Sequence, residues 1–149
     1  MSSSKPIVVS ACLAGFKCRY DGDNNLNTHI EEMVKNGSAI PVCPEELGGL
    51  TTPRIPAEIV VQNDGSHRVI NRDGQDVTEQ FLSGAQKALK VAQEIGAESA
   101  ILKHRSPSCG CGQIYDGSFS KSLVKANGIT ADLFIKNGIK VTTEEDYIN

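Results

Sequence analysis

Pro6-Ile-Val-Val-Ser10 is the stretch that decides the fold. Its short run of β-branched apolar residues is typical of a buried strand. Similar stretches follow at Ala39-Ile-Pro-Val42, Ser99-Ala-Ile-Leu-Lys103 and Ile139–Thr142, with helical patterns between them. Because strands that alternate with helices favour a mostly parallel sheet, we predict an α/β fold with helices on both faces, a Rossmann-like three-layer arrangement.

Three segments carry helix signals. Thr28-His-Ile-Glu31 has the spacing of a capping box, which predicts a helix that begins at Thr28. The strongest pattern follows Asp76, which is a candidate cap, and continues along one apolar face until Gly96. A last helix is predicted near Thr130–Asn137.

One segment has antiparallel character. Glu58–Gln62 and His67–Asn71 flank the turn-forming sequence Asn63-Asp-Gly-Ser66, and an Asp-Gly pair between two β-branched runs predicts a β-hairpin. We place this hairpin, around residues 58–71, outside the main sheet. A mixed α+β sheet is the alternative fold that the hairpin leaves open.

The composition is that of a globular protein. The chain has 149 residues, of which 39% are hydrophobic and 22% charged, and this length suits one domain over residues 1–149. The formal net charge of -3 argues against a long nucleic acid as partner. No apolar run approaches the roughly 20 residues of a membrane span, and Met1-Ser-Ser-Ser-Lys-Pro6 lacks the apolar core of a secretory signal. We therefore expect no membrane association and a cytoplasmic protein.

The positions of the cysteines indicate a candidate functional site. An odd number of them, five, argues against a closed disulfide framework. Cys12 and Cys43 come directly after predicted strands, and Cys109 follows a third strand by a few residues. Since ligands of α/β sheets bind beyond the carboxyl ends of the strands, these three thiols are expected to converge if their strands are parallel neighbours.

The spacing leaves several kinds of site open. It is not the paired Cys-x-x-Cys spacing of structural zinc sites, nor the cysteine run of bacterial ferredoxins. Three dispersed thiolates can hold a cubane iron–sulfur cluster with one iron open to substrate, but unrelated free thiols remain equally compatible with the spacing. Cys18 and Cys111 are unassigned, and Cys111 is a possible further ligand because it lies two residues from Cys109.

Seven motifs, in this order, resemble those of a small bacterial and archaeal domain family, formerly of unknown function, that includes the thiouracil desulfidases. They cover nearly the whole chain: Ser10-Ala-Cys-Leu-Ala-Gly15, Cys18-Arg-Tyr-Asp-Gly22, Cys43-Pro-Glu-Glu-Leu-Gly-Gly-Leu50, Thr52-Pro-Arg-Ile-Pro-Ala-Glu58, Ser106-Pro-Ser-Cys-Gly110, Ile114-Tyr-Asp-Gly-Ser-Phe119 and Asn127-Gly-Ile-Thr-Ala131.

The resemblance implies a [4Fe-4S] cluster held by Cys12, Cys43 and Cys109, with Glu45 as general base and Ser106 as a residue that orients or protonates the substrate. It implies a non-redox enzyme that removes sulfur from a thiolated pyrimidine, with a thiolated nucleobase or nucleotide as its small-molecule substrate. The acceptor of the sulfur is not indicated. From the residues alone, a structural metal site or a thiol-redox module is an alternative to the enzyme. Glu45 could equally be a solvated neighbour of Glu46, and Ser106 a turn residue.

Overall fold

The computed structural model describes residues 5–147. The strands are β1 (Ile7–Ser10), β2 (Ala39–Val42), β3 (Ala57–Val61), β4 (His67–Asn71), β5 (Ser99–Leu102), β6 (Ile114–Tyr115), β7 (Leu123–Val124) and β8 (Lys140–Thr143). A parallel sheet lies at the centre, with strands in the order β2-β1-β5-β8, and two small antiparallel sheets pair β3 with β4 and β6 with β7. The predicted α/β fold is confirmed.

The helices alternate with the strands of the central sheet. They are α1 (Thr28–Lys35), α2 (Pro44–Leu47), α3 (Thr78–Glu94) and α4 (Ile129–Lys136), and a short 3-10 helix occupies Ala11–Ala14. Helix α1 begins at Thr28, as predicted, and α4 lies one residue before its predicted bounds, but the caps differ from those expected. Asn27, not Thr28, caps α1 and accepts hydrogen bonds from the next turn. Asp76 lies two residues before α3, where its carboxylate accepts from the Thr78 N–H.

Side chains alternate between the two faces of the sheet and build two cores. Val8 and Leu102 point to the face that α3 and α4 cover, where Phe134 is fully buried. Val9 and Ile101, the neighbours of those strand residues, pack on the other face together with α1. Because each strand residue has its successor on the opposite face, a short apolar run fills both cores at once.

The hairpin lies outside the main sheet, as predicted. Strands β3 and β4 pair antiparallel from Ala57 opposite Asn71 to Val61 opposite His67. The small sheet of β6 and β7 was not predicted, because two-residue strands carry too little periodicity to be recognised. Along residues 5–147, no helix has the combination of length and apolar character that crossing a membrane requires.

Candidate functional site

The candidate site is a cavity of about 750 Å³ at the carboxyl ends of β1, β2 and β5. These three strands are immediate neighbours, since β1 pairs in parallel with both β2 and β5. The expected convergence of the thiols therefore takes place. We call this space the thiol cavity, after the four cysteines in its wall, Cys12, Cys18, Cys43 and Cys109.

Cys12 reaches the thiol cavity from the 3-10 helix that follows β1 directly. Its Sγ accepts a hydrogen bond from the side-chain amide of Asn25 at 3.3 Å. Hydrogen bonds from Cys18 and Asn25 lower the pKa of the Cys12 thiol, against the opposing effect of burial. A lowered pKa favours the thiolate, which is the form that binds metals.

Cys43 is placed by an unusually close contact between two helices. It stands at the start of α2, which begins with Pro44. The backbones of α2 and α3 touch at Gly48 and Gly84, so a Cβ on Gly84 would lie 1.9 Å from the Pro44 carbonyl oxygen and a Cβ on Gly48 equally close to α3. Only glycine fits at such an approach. This contact fixes the segment that carries both Cys43 and Glu45.

Cys109 lies in the loop after β5 and is 3% exposed. The hydroxyl oxygen of Ser106 accepts hydrogen bonds from the backbone N–H groups of Ser108, at 3.1 Å, and Cys109, at 3.0 Å. Burial raises the pKa of the Cys109 thiol well above its ordinary value, and the neighbouring Glu45 carboxylate adds to this effect. Ser106 thus caps the loop, the structural role that the sequence left open, and it also lines the thiol cavity.

Glu45 and Glu46 have different surroundings. Glu45 lines the thiol cavity, with its side chain 15% exposed and 3.7 Å from the Arg54 guanidinium. Burial raises the pKa of the Glu45 carboxyl, although Arg54 opposes this shift. Glu46 is exposed and accepts a hydrogen bond from the hydroxyl of Thr52. The structure therefore separates two residues that the sequence alone does not distinguish.

Cys18 is the site residue that the sequence analysis left unassigned. It is 6% exposed, and its thiol lies within hydrogen-bonding reach of both Cys12 and Cys43. These contacts and burial raise its pKa strongly. Its carbonyl oxygen accepts a 2.9 Å hydrogen bond from Arg54. The signal in the sequence was the short separation from Cys12, with five residues in between, because a loop of that length can turn back onto the same strand end.

Lys103 is another residue of the site to which the sequence analysis assigned no role. It directly follows β5, lines the thiol cavity and lies 3.3 Å from Glu144. Its backbone N–H donates to the Ser10 hydroxyl at 2.9 Å. The ammonium group of Lys103 also contributes to the lowered pKa of Cys12. Its position at a strand end, like that of Cys12, was the available signal.

Cys111 does not line the thiol cavity. It faces a smaller pocket of about 250 Å³, together with Thr143 and Asp146. Its Sγ lies 3.8 Å from the carbonyl oxygen of Val141, and burial and then the charge of Asp146 raise its pKa. We call this space the Cys111 pocket. A separation of two residues along the chain therefore does not bring Cys111 to the three strand-end thiols.

The donor set fits a group that contains several metal atoms. Within residues 5–147, no three or more His, Cys, Asp or Glu side chains are arranged to hold a single metal ion. Iron–sulfur clusters use one cysteine for each of several irons, so their ligands need not meet at one point. Three thiols from three strand ends, around a cavity of about 750 Å³, satisfy this requirement.

Known proteins are similar to this chain in sequence and in fold. The sequence model of a family described as 2-thiouracil desulfurase matches residues 7–146. YbbK, an uncharacterized protein of Bacillus subtilis (strain 168), is 42% identical over 145 residues, which cover 94% of this chain and 96% of YbbK. A solved structure of the [4Fe-4S]-dependent thiouracil desulfidase TudS superposes with a TM-score of 0.85 at 40% identity, covering 95% of this chain and 91% of the other. The resemblance seen in the motifs is thereby confirmed, and this chain belongs to the 2-thiouracil desulfurase family.

Proposed function

We propose that this protein removes sulfur from a thiolated pyrimidine such as 2-thiouracil. Water replaces the sulfur, so that C=S and H2O become C=O and H2S, and no atom changes its oxidation state. Membership of the family and the similarity to TudS support this reaction. The observation that carries the proposal is the thiol cavity itself, in which Cys12, Cys43 and Cys109 meet the buried carboxylate of Glu45.

We assign Cys12, Cys43 and Cys109 as the ligands of a [4Fe-4S] cluster. The support for this assignment is that the three thiols come from the ends of adjacent strands and border one cavity. When bound there, such a cluster supplies an iron without a protein ligand, which attracts sulfur as a soft Lewis acid. The protein contributes the rigid strand ends that hold the three thiols in place.

Glu45 is assigned as the general base. Its carboxylate lies in the wall of the thiol cavity, two residues after Cys43, where it can accept a proton from a water molecule that attacks the thiocarbonyl carbon. Arg54 lies 3.7 Å away and holds the carboxylate in position. Because Arg54 also donates to the Cys18 carbonyl, one side chain connects Glu45 to the loop around the thiols.

Ser106 is assigned a second role beside its cap. Its oxygen already accepts from two backbone N–H groups, so its own hydroxyl proton remains available to donate. Since Ser106 borders the thiol cavity, this proton can be directed to a ring nitrogen or oxygen of the substrate. One hydroxyl thereby orders the Cys109 loop and orients the pyrimidine.

A closed metal site is the second candidate function. It is favoured by the contacts of the Cys18 thiol with Cys12 and Cys43, because a fourth cysteine ligand would leave no iron open to substrate. Such a protein would hold its cluster and have no desulfidase activity. The two candidates therefore differ in a single measurable property, the turnover of a thiolated pyrimidine by protein that contains the cluster.

The experiment that tests the proposal is anaerobic purification followed by two assays. The first measures iron, zinc and acid-labile sulfide per chain, with about four irons and four sulfides expected for the proposed cluster. The second adds 2-thiouracil and measures the formation of sulfide and uracil. Both products in equal amounts support the proposal. A full cluster without turnover favours the closed site, and zinc in place of iron contradicts both the cluster and the reaction.

A further inference from the structure

One aromatic residue in the wall of the thiol cavity, Phe119, has a strained backbone conformation. Phe119 lies in the loop between β6 and β7 and lines the cavity. Its φ of 58° is in the left-handed region, which residues other than glycine seldom occupy and which costs on the order of 1 kcal/mol or more. Strain of this kind persists only where the surrounding structure imposes it, and it is often found at ligand sites.

Glu58 imposes this conformation. The residue is 8% exposed, and one of its carboxylate oxygens accepts hydrogen bonds from the backbone N–H groups of Gly117, at 2.9 Å, and Phe119, at 3.1 Å. Gly117 also packs tightly on β3, since a Cβ there would lie 2.8 Å from the Ile59 carbonyl oxygen. A buried charge thus ties the loop to the hairpin, and the loop in turn carries the Phe119 ring to the cavity.

The Phe119 ring is held but not covered. The guanidinium carbon of Arg72 lies 5.6 Å from the ring centroid, a cation–π contact that orients the ring. Phe119 is half-buried, so part of its ring surface remains open. Three other aromatic residues line the wall: Phe81 is 3% exposed within the core, Tyr20 is 44% exposed, and Tyr115, half-buried like Phe119, belongs to β6 and not to the strained loop.

We infer that Phe119 is a specificity-determining residue, the surface on which the planar ring of the substrate stacks. This inference rests on the proposed function and adds what that proposal lacks, a reason why a pyrimidine is selected over other thiocarbonyl compounds. The hydrogen-bonding edge of a pyrimidine is shared by non-aromatic cyclic ureides and thioureides. An aromatic surface distinguishes them because only a flat, conjugated ring can stack on it.

The test compares two ligands that share one hydrogen-bonding edge. Uracil is planar, whereas 5,6-dihydrouracil is puckered and not aromatic. Binding of each to the cluster-containing protein is measured by titration calorimetry, for wild type, Phe119→Leu, Phe119→Tyr and, as a control, the exposed Phe16→Leu outside the cavity. We expect wild type, Phe119→Tyr and Phe16→Leu to prefer uracil by about tenfold, the size of one stacking interaction. In Phe119→Leu, which keeps an apolar side chain, the preference should fall towards one.

Several results would overturn the inference. Equal binding of the two ligands by wild type, or an unchanged preference in Phe119→Leu, means that the ring does not select for planarity. A wild-type protein that converts 2-thiouracil but does not prefer uracil contradicts only this inference. A wild-type protein that prefers uracil through Phe119 but releases no sulfide contradicts the proposed reaction and leaves the stacking site in place.

Discussion

The thiol cavity and the Cys111 pocket both contain cysteine, and they differ in how the fold supports it. Three of the four cysteines of the cavity, Cys12, Cys43 and Cys109, follow the ends of three adjacent parallel strands. Cys111 follows Cys109 by only two residues, yet it faces a different pocket. The comparison teaches that common strand ends, and not proximity along the chain, bring thiols together for chemistry.

The two regions also differ in what surrounds their thiols. In the thiol cavity, Cys12 receives a hydrogen bond from Asn25, and the Lys103 cation lowers its pKa further. In the Cys111 pocket, burial and then the charge of Asp146 raise the pKa of Cys111. Positive charge and donors favour thiolate, and a carboxylate disfavours it. Burial and the Glu45 carboxylate also raise the pKa of Cys109 in the thiol cavity, so the two regions differ chiefly in the number of cysteines that border them, four against one.

The largest expected effect is the loss of the cluster. Cys43→Ala should reduce iron and sulfide from about four each per chain to near zero after anaerobic reconstitution, because two thiolates hold a cubane too weakly. Cys111→Ala is the matched control and should retain the full content. The measurement is chemical analysis of iron and acid-labile sulfide together with the absorbance of the cluster. If Cys111→Ala lost the cluster and Cys43→Ala kept it, the contrast between the two regions would be wrong.

The next effect concerns the two adjacent carboxylates. Glu45→Gln should lower the rate of sulfide release from 2-thiouracil by about 10² to 10⁴, the usual contribution of a general base, while its iron content stays at the wild-type level. Glu46→Gln, one residue further along but exposed, should retain the wild-type rate. The initial rates of both variants, normalised to iron, test this. Equal rates for the two would remove Glu45 from the mechanism.

Much of the fold could be predicted because short apolar runs mark buried parallel strands. Ala39–Val42 was predicted at its observed bounds in spite of Pro41, which pairs with Val9 at the edge of the sheet, where a missing N–H is tolerated. The caps were less predictable. Asn27 caps α1 in place of Thr28, whereas Asp76 does accept a hydrogen bond from the Thr78 N–H although it lies two residues before α3.

For the candidate site, the sequence predicted where the strands end but not how the loops after them fold. The convergence of Cys12, Cys43 and Cys109 followed from strand order, whereas the position of Cys18 depends on how the segment after Cys12 turns back. Glu58 and Phe119 are 61 residues apart in the chain and meet through a hydrogen bond from the Phe119 backbone N–H to the Glu58 carboxylate. No periodic pattern encodes a contact of this kind, so it became visible only in the structure.

A smaller effect is expected at the close contact between α2 and α3, which holds the segment that carries Cys43. Gly84→Ala places a methyl group against the Pro44 carbonyl, where a Cβ would be 1.9 Å away, and overpacking of this kind costs about 1–3 kcal/mol. Gln86→Ala, at an exposed position of the same helix, should change stability by less than about 0.5 kcal/mol. Urea unfolding of the cluster-free proteins measures both. A Gly84→Ala protein as stable as wild type would show that α2 can move away from α3 at no cost.

The smallest effect is expected at Cys18, which shares the thiol cavity with the proposed ligands. Its thiol lies against Cys12 and Cys43 but is not needed if three thiolates hold three irons and the fourth stays open. We therefore expect Cys18→Ser to keep about four irons per chain and to release sulfide from 2-thiouracil at a rate within about threefold of wild type, since it loses only a weak S–H hydrogen bond. Iron analysis and sulfide release are measured on the same anaerobic sample. A Cys18→Ser protein that lost the cluster would place Cys18 among the ligands, and one that gained activity would identify Cys18 as a thiol that competes with substrate for the open iron. Either result would show that burial beside a ligand, and not only position at a strand end, decides which cysteines take part.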